Sequence, residues 1–134
     1  MARDDTTGDT ARHRERLETL DRFIAAWNAH DVDGLMACMA QDCAFHASGG
    51  PDADGAVFEG REAVRKGYAA IFAGFPDAQW TNGRHSVFGD RGLSQWRFIG
   101  TAPDGKRVEV DGCDLFIFDG PLIALKDSYR KSRV

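Results

Sequence analysis

Apolar residues early in the chain recur at three- and four-residue steps: Leu17, Leu20, Phe23, Ile24 and Trp27. That spacing predicts an amphipathic helix beginning near Asp9 or Thr10. The preceding lead-in, residues 1–9, is dominated by Asp, Thr and Gly, offers nothing apolar to bury, and reads as disordered. A second, short helix is predicted from Asp31 as N-cap, burying Val32, Leu35, Met36 and Met39 and stopping before Asp42, so that the two helices form a hairpin. Residues 43–47 then read as a short strand and residues 48–55, rich in Gly, Pro and Asp, as a loop at a pocket mouth. A third helix is expected from Arg61 to about Ala73, with Val64, Tyr68, Ile71 and Phe72 as its stripe and Phe75-Pro76-Asp77 as its stop.

Beyond residue 77 the pattern changes to strands, at roughly 78–88, 93–101, 107–118 and 122–131. Their separators, Gly89-Asp90-Arg91-Gly92, Pro103-Asp104-Gly105 and Asp119-Gly120, are turn chemistry, and connections this short imply an antiparallel meander. Helices first and a curved antiparallel sheet afterwards make an α+β domain over residues 10–134, with the helices covering one face of the sheet.

The 134 residues suit one domain with one core. A net charge of −4, with the signs interspersed, supplies no basic stripe and argues against nucleic acid as partner. The chain has no apolar run long enough to cross a membrane and no signal-like segment near its start, so a cytoplasmic protein is expected. Cys38, Cys43 and Cys113 lack metal-type spacing, and the four histidines lack a paired arrangement, so no metal site or cofactor is expected. Neither a phosphate-binding glycine loop nor a serine elbow is present.

The segment Gly112-Cys113-Asp114-Leu115-Phe116-Ile117-Phe118 carries the chemistry. Alternation puts Asp114, Phe116 and Phe118 on one strand face, and a carboxylate among aromatic rings must be paired or must take up a proton.

The order of elements, together with residues 23–35 (FIAAWNAHDVDGL), resembles the nuclear transport factor 2-like superfamily. Phe58-Glu59-Gly60-Arg61-Glu62-Ala63-Val64, Gly100-Thr101-Ala102-Pro103-Asp104-Gly105 and residues 114–120 resemble its ketosteroid isomerase and SnoaL-like polyketide cyclase branches. The resemblance implies a cone, the cystatin-like α+β barrel, in which the sheet wraps around a deep apolar pocket closed by the helices. It places Asp114 where the isomerases keep a protonated aspartic acid that donates to a developing enolate, a system that is itself a standard example of a carboxyl held neutral by an apolar site. The isomerase tyrosine falls on Phe23 and the aspartate base near Ala47, beside His46, so the familiar steroid route is not expected.

On this alignment the last strand turns Asp127, with Leu125 and Tyr129, toward the pocket, giving Asp114 a second carboxylate. His46 is the other candidate base, provided that Phe45 and Ala47 do not take the inward positions. His85 and His30 are weaker candidates. The expected catalytic set is Asp114, Asp127 and His46, and the expected substrate contacts are Phe23, Trp27, Tyr68, Trp80, Trp96, Phe98, Phe116 and Tyr129. Gln95 and Arg97 should face the convex side, through which family members often pair, so a homodimer is expected; only a shifted register would bring Arg97 beside Asp114 in the manner of the limonene epoxide hydrolases. These readings suggest acid–base chemistry on a small hydrophobic carbonyl ligand, or a non-catalytic binding module on the same fold.

Overall fold

In the computed structural model, which describes residues 7–134, three helices precede and interrupt a single six-stranded sheet. Most of the expected lead-in, residues 1–6, lies outside the described residues. Helix α1 spans Thr7–Asn28, starting earlier than its apolar stripe indicates. Helix α2 covers Val32–Ala37 and is capped by Asp31, whose carboxylate accepts from the Gly34 amide at 3.0 Å. Strands β1 (Met39–His46) and β2 (Val57–Glu59) follow, then α3 (Arg61–Gly74). The meander consists of β3 (Gln79–Phe88), β4 (Arg91–Thr101), β5 (Arg107–Asp119) and β6 (Leu122–Arg130).

The strand order is β2-β1-β6-β5-β4-β3, a curved and unclosed sheet. Every neighbouring pair is antiparallel except β1 with β6, which run parallel. Met39 therefore begins a strand instead of ending a helix. Arg61 braces that switch from both sides, donating to the carbonyls of Met36 (3.0 Å) at the end of α2 and Met39 (2.8 Å) at the start of β1.

The helices close one face of the sheet through aromatic contacts. Phe23 and Trp27 of α1 meet Tyr68 of α3 at 6.1 and 4.9 Å, and Phe23 meets Phe116 of β5 at 5.9 Å, mostly edge to face. At the end of α1, Asn28 clamps the backbone of Trp80, donating to its carbonyl at 3.0 Å and accepting from its amide at 2.7 Å. His30 adopts φ 55°, which turns the chain out of the helix; its ring stacks on Phe72 with centroids 4.3 Å apart.

Bulges in β3 and β6 set which of their residues face inward. In β3 an extra residue lies between Thr81 and Arg84, where Asn82 has φ 57°. In β6 Phe118 pairs with Ile123 but Ile117 pairs with Leu125, so one extra residue is inserted and the alternation changes phase. Ile123 faces the helices, and so do Lys126 and Ser128 three and five residues later.

Gly112 makes the inner face of β5 flat opposite Trp96, its register partner. A Cβ there would lie 2.5 Å from the indole ring and 2.6 Å from the Tyr129 carbonyl oxygen. We therefore expect Gly112→Ala to displace Trp96 and destabilise the fold by about 1–3 kcal/mol in urea unfolding, the usual cost of overpacking. An unchanged midpoint would contradict this.

Candidate active site

The register of the sheet assembles a polar row across its concave face. Cα pairing aligns His85 of β3 with Ser94 of β4, Ser94 with Asp114 of β5, and Asp114 with Ser128 of β6. Asp114 is 5% exposed and accepts three donors. Ser128 Oγ donates to Oδ1 at 2.6 Å, Trp96 Nε1 donates to Oδ2 at 2.9 Å, and Lys126 Nζ lies 3.2 Å from Oδ1. Lys126 Nζ also donates to Ser128 Oγ at 2.5 Å.

Lys126 is itself 5% exposed. Its ammonium sits 4.5 Å from the ring centroid of Phe45 and 5.1 Å from that of Trp27, so aromatic faces replace part of the lost water. Burial lowers its pKa, and the charge and hydrogen bond of Asp114 oppose that shift. Tyr68, fully buried behind this pair with its hydroxyl donating to Met39 Sδ at 3.4 Å, is pushed well above the phenol range, first by burial and then by Asp114.

The pair opens onto a cavity of about 170 Å³. Its walls are mainly aromatic and aliphatic, with Phe23, Trp27, Trp80, Trp96, Phe98 and Phe116 among them. Asp114, Lys126 and Arg130 are the ionisable residues in its lining, and Ser48, Ser94 and Ser128 are the hydroxyls. Ser94 Oγ lies 2.7 Å from His85 Nδ1. Burial lowers the pKa of His85 against the pull of Asp21 and Asp114, holding the ring toward its neutral form.

Some expected site residues come together and others do not. Asp114 and the six aromatic residues just named share the cavity. Tyr68 supports the wall from behind and is not part of the lining. Asp127 and Tyr129 are on the outer face, with the Tyr129 hydroxyl donating to Asp127 at 3.1 Å and Tyr129 itself 52% exposed. Simple alternation from Ile123 predicts the opposite facing, and the β6 bulge reverses it. His46 pairs in register with Asp127 while Phe45 pairs with Lys126, so Phe45 takes the inward position and His46 turns away from Asp114. Arg97 is on the convex face, donating to Asp111 at 2.8 Å, and does not approach Asp114. His85, in contrast, faces the interior.

The residues that sequence reasoning missed are Lys126, Ser128 and Arg130. The available signal was the requirement of buried Asp114 for a cation, and the Lys126–Lys131 run was the nearest source.

A family model described as SnoaL-like domain matches residues 20–125. The chain belongs to this family. No curated protein matches it. Among solved structures, this SnoaL-like chain is similar to an NTF2-like protein of unknown function from Mesorhizobium loti, with 27% identity, TM-score 0.75 and 98% of each chain covered. It is also similar to an uncharacterized cystatin fold protein from Novosphingobium aromaticivorans, with 29% identity, TM-score 0.70, and 87% of this chain and 97% of that chain covered. A candidate polyketide cyclase from Xanthomonas campestris shares the fold at 18% identity and TM-score 0.77, with 88% of this chain and 91% of that chain covered. Among the described residues, no helix of this SnoaL-like domain is long and apolar enough to cross a membrane.

Burial of Lys126 has a definite pH signature. Its folded pKa is lowered from 10.5, so between the folded value and 10.5 the unfolded chain binds more protons than the folded one. Stability then rises with pH across that window. Urea unfolding should show wild type gaining on Lys126→Met as pH climbs through the alkaline range; a difference that stays flat or narrows would mean that Lys126 is not desolvated.

Proposed function

We propose that this SnoaL-like protein is a cofactor-independent, isomerase- or cyclase-like protein that performs acid–base chemistry on a small hydrophobic carbonyl compound, with Asp114 and Lys126 as the proton-handling pair. The observation that carries this reading is a hydrogen-bonded Asp–Lys pair, almost free of solvent, set in the wall of an apolar cavity. Buried pairs add little stability relative to apolar residues of the same size, which favours a functional reason for this one.

The arrangement changes the role first expected of Asp114. Its two oxygens hold three donors, which suits an acceptor better than an acid. Asp114 would remove a proton from the carbon next to the ligand carbonyl. Lys126 would donate a hydrogen bond to the carbonyl oxygen as negative charge builds there, in a site where low dielectric strengthens that bond. Returning the proton to a different carbon completes an isomerisation; attack of the enolate carbon on a second carbonyl of the same molecule would form the ring bond as that C=O π bond opens to an alkoxide, which takes the proton back from Asp114. The volume bounds the substrate, because a cavity of about 150 Å³ accommodates benzene. One ring with short substituents fits within it; a larger ligand would extend through the mouth.

The alternative is a binding module in which Asp114 only orients the ligand, favoured by the fact that its donors are already satisfied within the protein. Deuterium exchange separates the two. With acetophenone as probe, wild type should speed exchange of the methyl protons seen by proton NMR, and Asp114→Asn should slow it by about 100-fold or more, the scale of a general-base contribution. Folding of the variant is checked by circular dichroism, since removing one partner of a buried pair costs about 3–5 kcal/mol. Binding without accelerated exchange in wild type would leave the module reading in place.

A further inference from the structure

The cavity contains one charge that nothing in the described protein neutralises. Of its three ionisable residues, Asp114 and Lys126 compensate each other at 3.2 Å, which leaves Arg130. The guanidinium carbon of Arg130 lies 4.8 Å from the ring centroid of Phe98 and 5.8 Å from that of Phe75. Arg130 is solvent-exposed at the end of β6, and among the described residues its guanidinium has neither an ion pair nor a side-chain hydrogen bond; partial desolvation against the two rings lowers its pKa. Asp111, on the neighbouring strand, is held by Arg97 on the other face of the sheet. The cavity is therefore a site of excess positive charge on a chain whose net charge is −4.

We infer that the ligand is a small apolar oxo acid whose carboxylate is held by Arg130 while its carbonyl reaches Lys126 and Asp114. Arginine suits this task because its planar fork of N–H donors matches the two oxygens of a carboxylate. The two phenylalanine rings fix the cation at the rim without using those donors as hydrogen-bond partners. Position along the strand sets the length of the ligand. Asp114 pairs with Ser128 and Gly112 pairs with Arg130, so the two sites are two residues apart, about 7 Å at ordinary strand rise. One para-substituted ring between carboxylate and carbonyl spans that separation. The inference rests on the cavity being a ligand site and on the placement of the carbonyl at the Asp114–Lys126 pair; it does not require turnover.

The test uses 4-acetylbenzoate and its neutral counterpart 4-acetylbenzamide in calorimetric titrations of wild type, Arg130→Gln and Arg130→Lys. Wild type should bind the acid about 10- to 100-fold more tightly than the amide, the range for a charge-assisted contact at a partly exposed site. Arg130→Gln should remove that preference, weakening the acid far more than the amide, and Arg130→Lys should retain part of it. Equal binding of acid and amide by wild type, no binding of either, or a preference that persists in Arg130→Gln would each overturn the inference, the last by assigning the anion to Lys126. A failed exchange assay with acetophenone alongside a preserved acid preference would reject the acid–base reading while leaving this one standing.

Discussion

The ion pair between Asp114 and Lys126 is the interaction around which the concave side of this domain is arranged. Removing two charges from water is costly, and the cost is contained only because each group meets several partners at once. Asp114 has Trp96 and Ser128 in addition to the lysine; Lys126 has Ser128 and the faces of Phe45 and Trp27. Those partners come from α1, β1, β4, β5 and β6, so four of the six strands and the first helix must be in place before the pair is satisfied. Gly112 belongs to the same arrangement, since its bare backbone lets the Trp96 indole lie across β5 and reach the carboxylate two residues farther on.

Much of the architecture was legible because it follows local rules. The 3.6-residue stripe from Leu17 to Trp27, the Asp31 cap and the turn residues of the meander each specify their element without outside help. Asp114 was equally legible, since a carboxylate among Phe116 and Phe118 needs an explanation wherever the strand lies. What could not be read depends on partners distant in sequence. The conversion of Met39 from helix to strand rests on Arg61, and the parallel pairing of β1 with β6 joins segments about eighty residues apart. β2 has only three residues, too few for a periodic signal.

The facing of β6 was lost for a different reason. Alternation is a reliable rule only within an uninterrupted ladder, and a bulge is a property of two strands together. Ala124 and Leu125 have no residue type that announces it. The bulge puts Lys126, Ser128 and Arg130 on the inner face in place of Leu125, Asp127 and Tyr129, so the candidate site is a carboxylate with two cations and not two carboxylates. Alternation placed Asp114 on the inner face with Phe116 and Phe118, and the groups around it are this chain's own.

The β6 bulge also bears on the charge of the site. Along this strand two sets of side chains are interleaved, one basic and hydroxylic, the other acidic and phenolic, and the bulge selects which set meets the ligand. Straightening the strand with every residue kept would pair Ile117 with Ala124 and turn Asp127 and Tyr129 inward, taking the cavity from cation-rich to anion-rich without a substitution, whereas deleting the extra residue would leave Lys126 and Ser128 facing in. Register along one strand, ordinarily a matter of packing, is here what decides the sign of the charge that a ligand would meet.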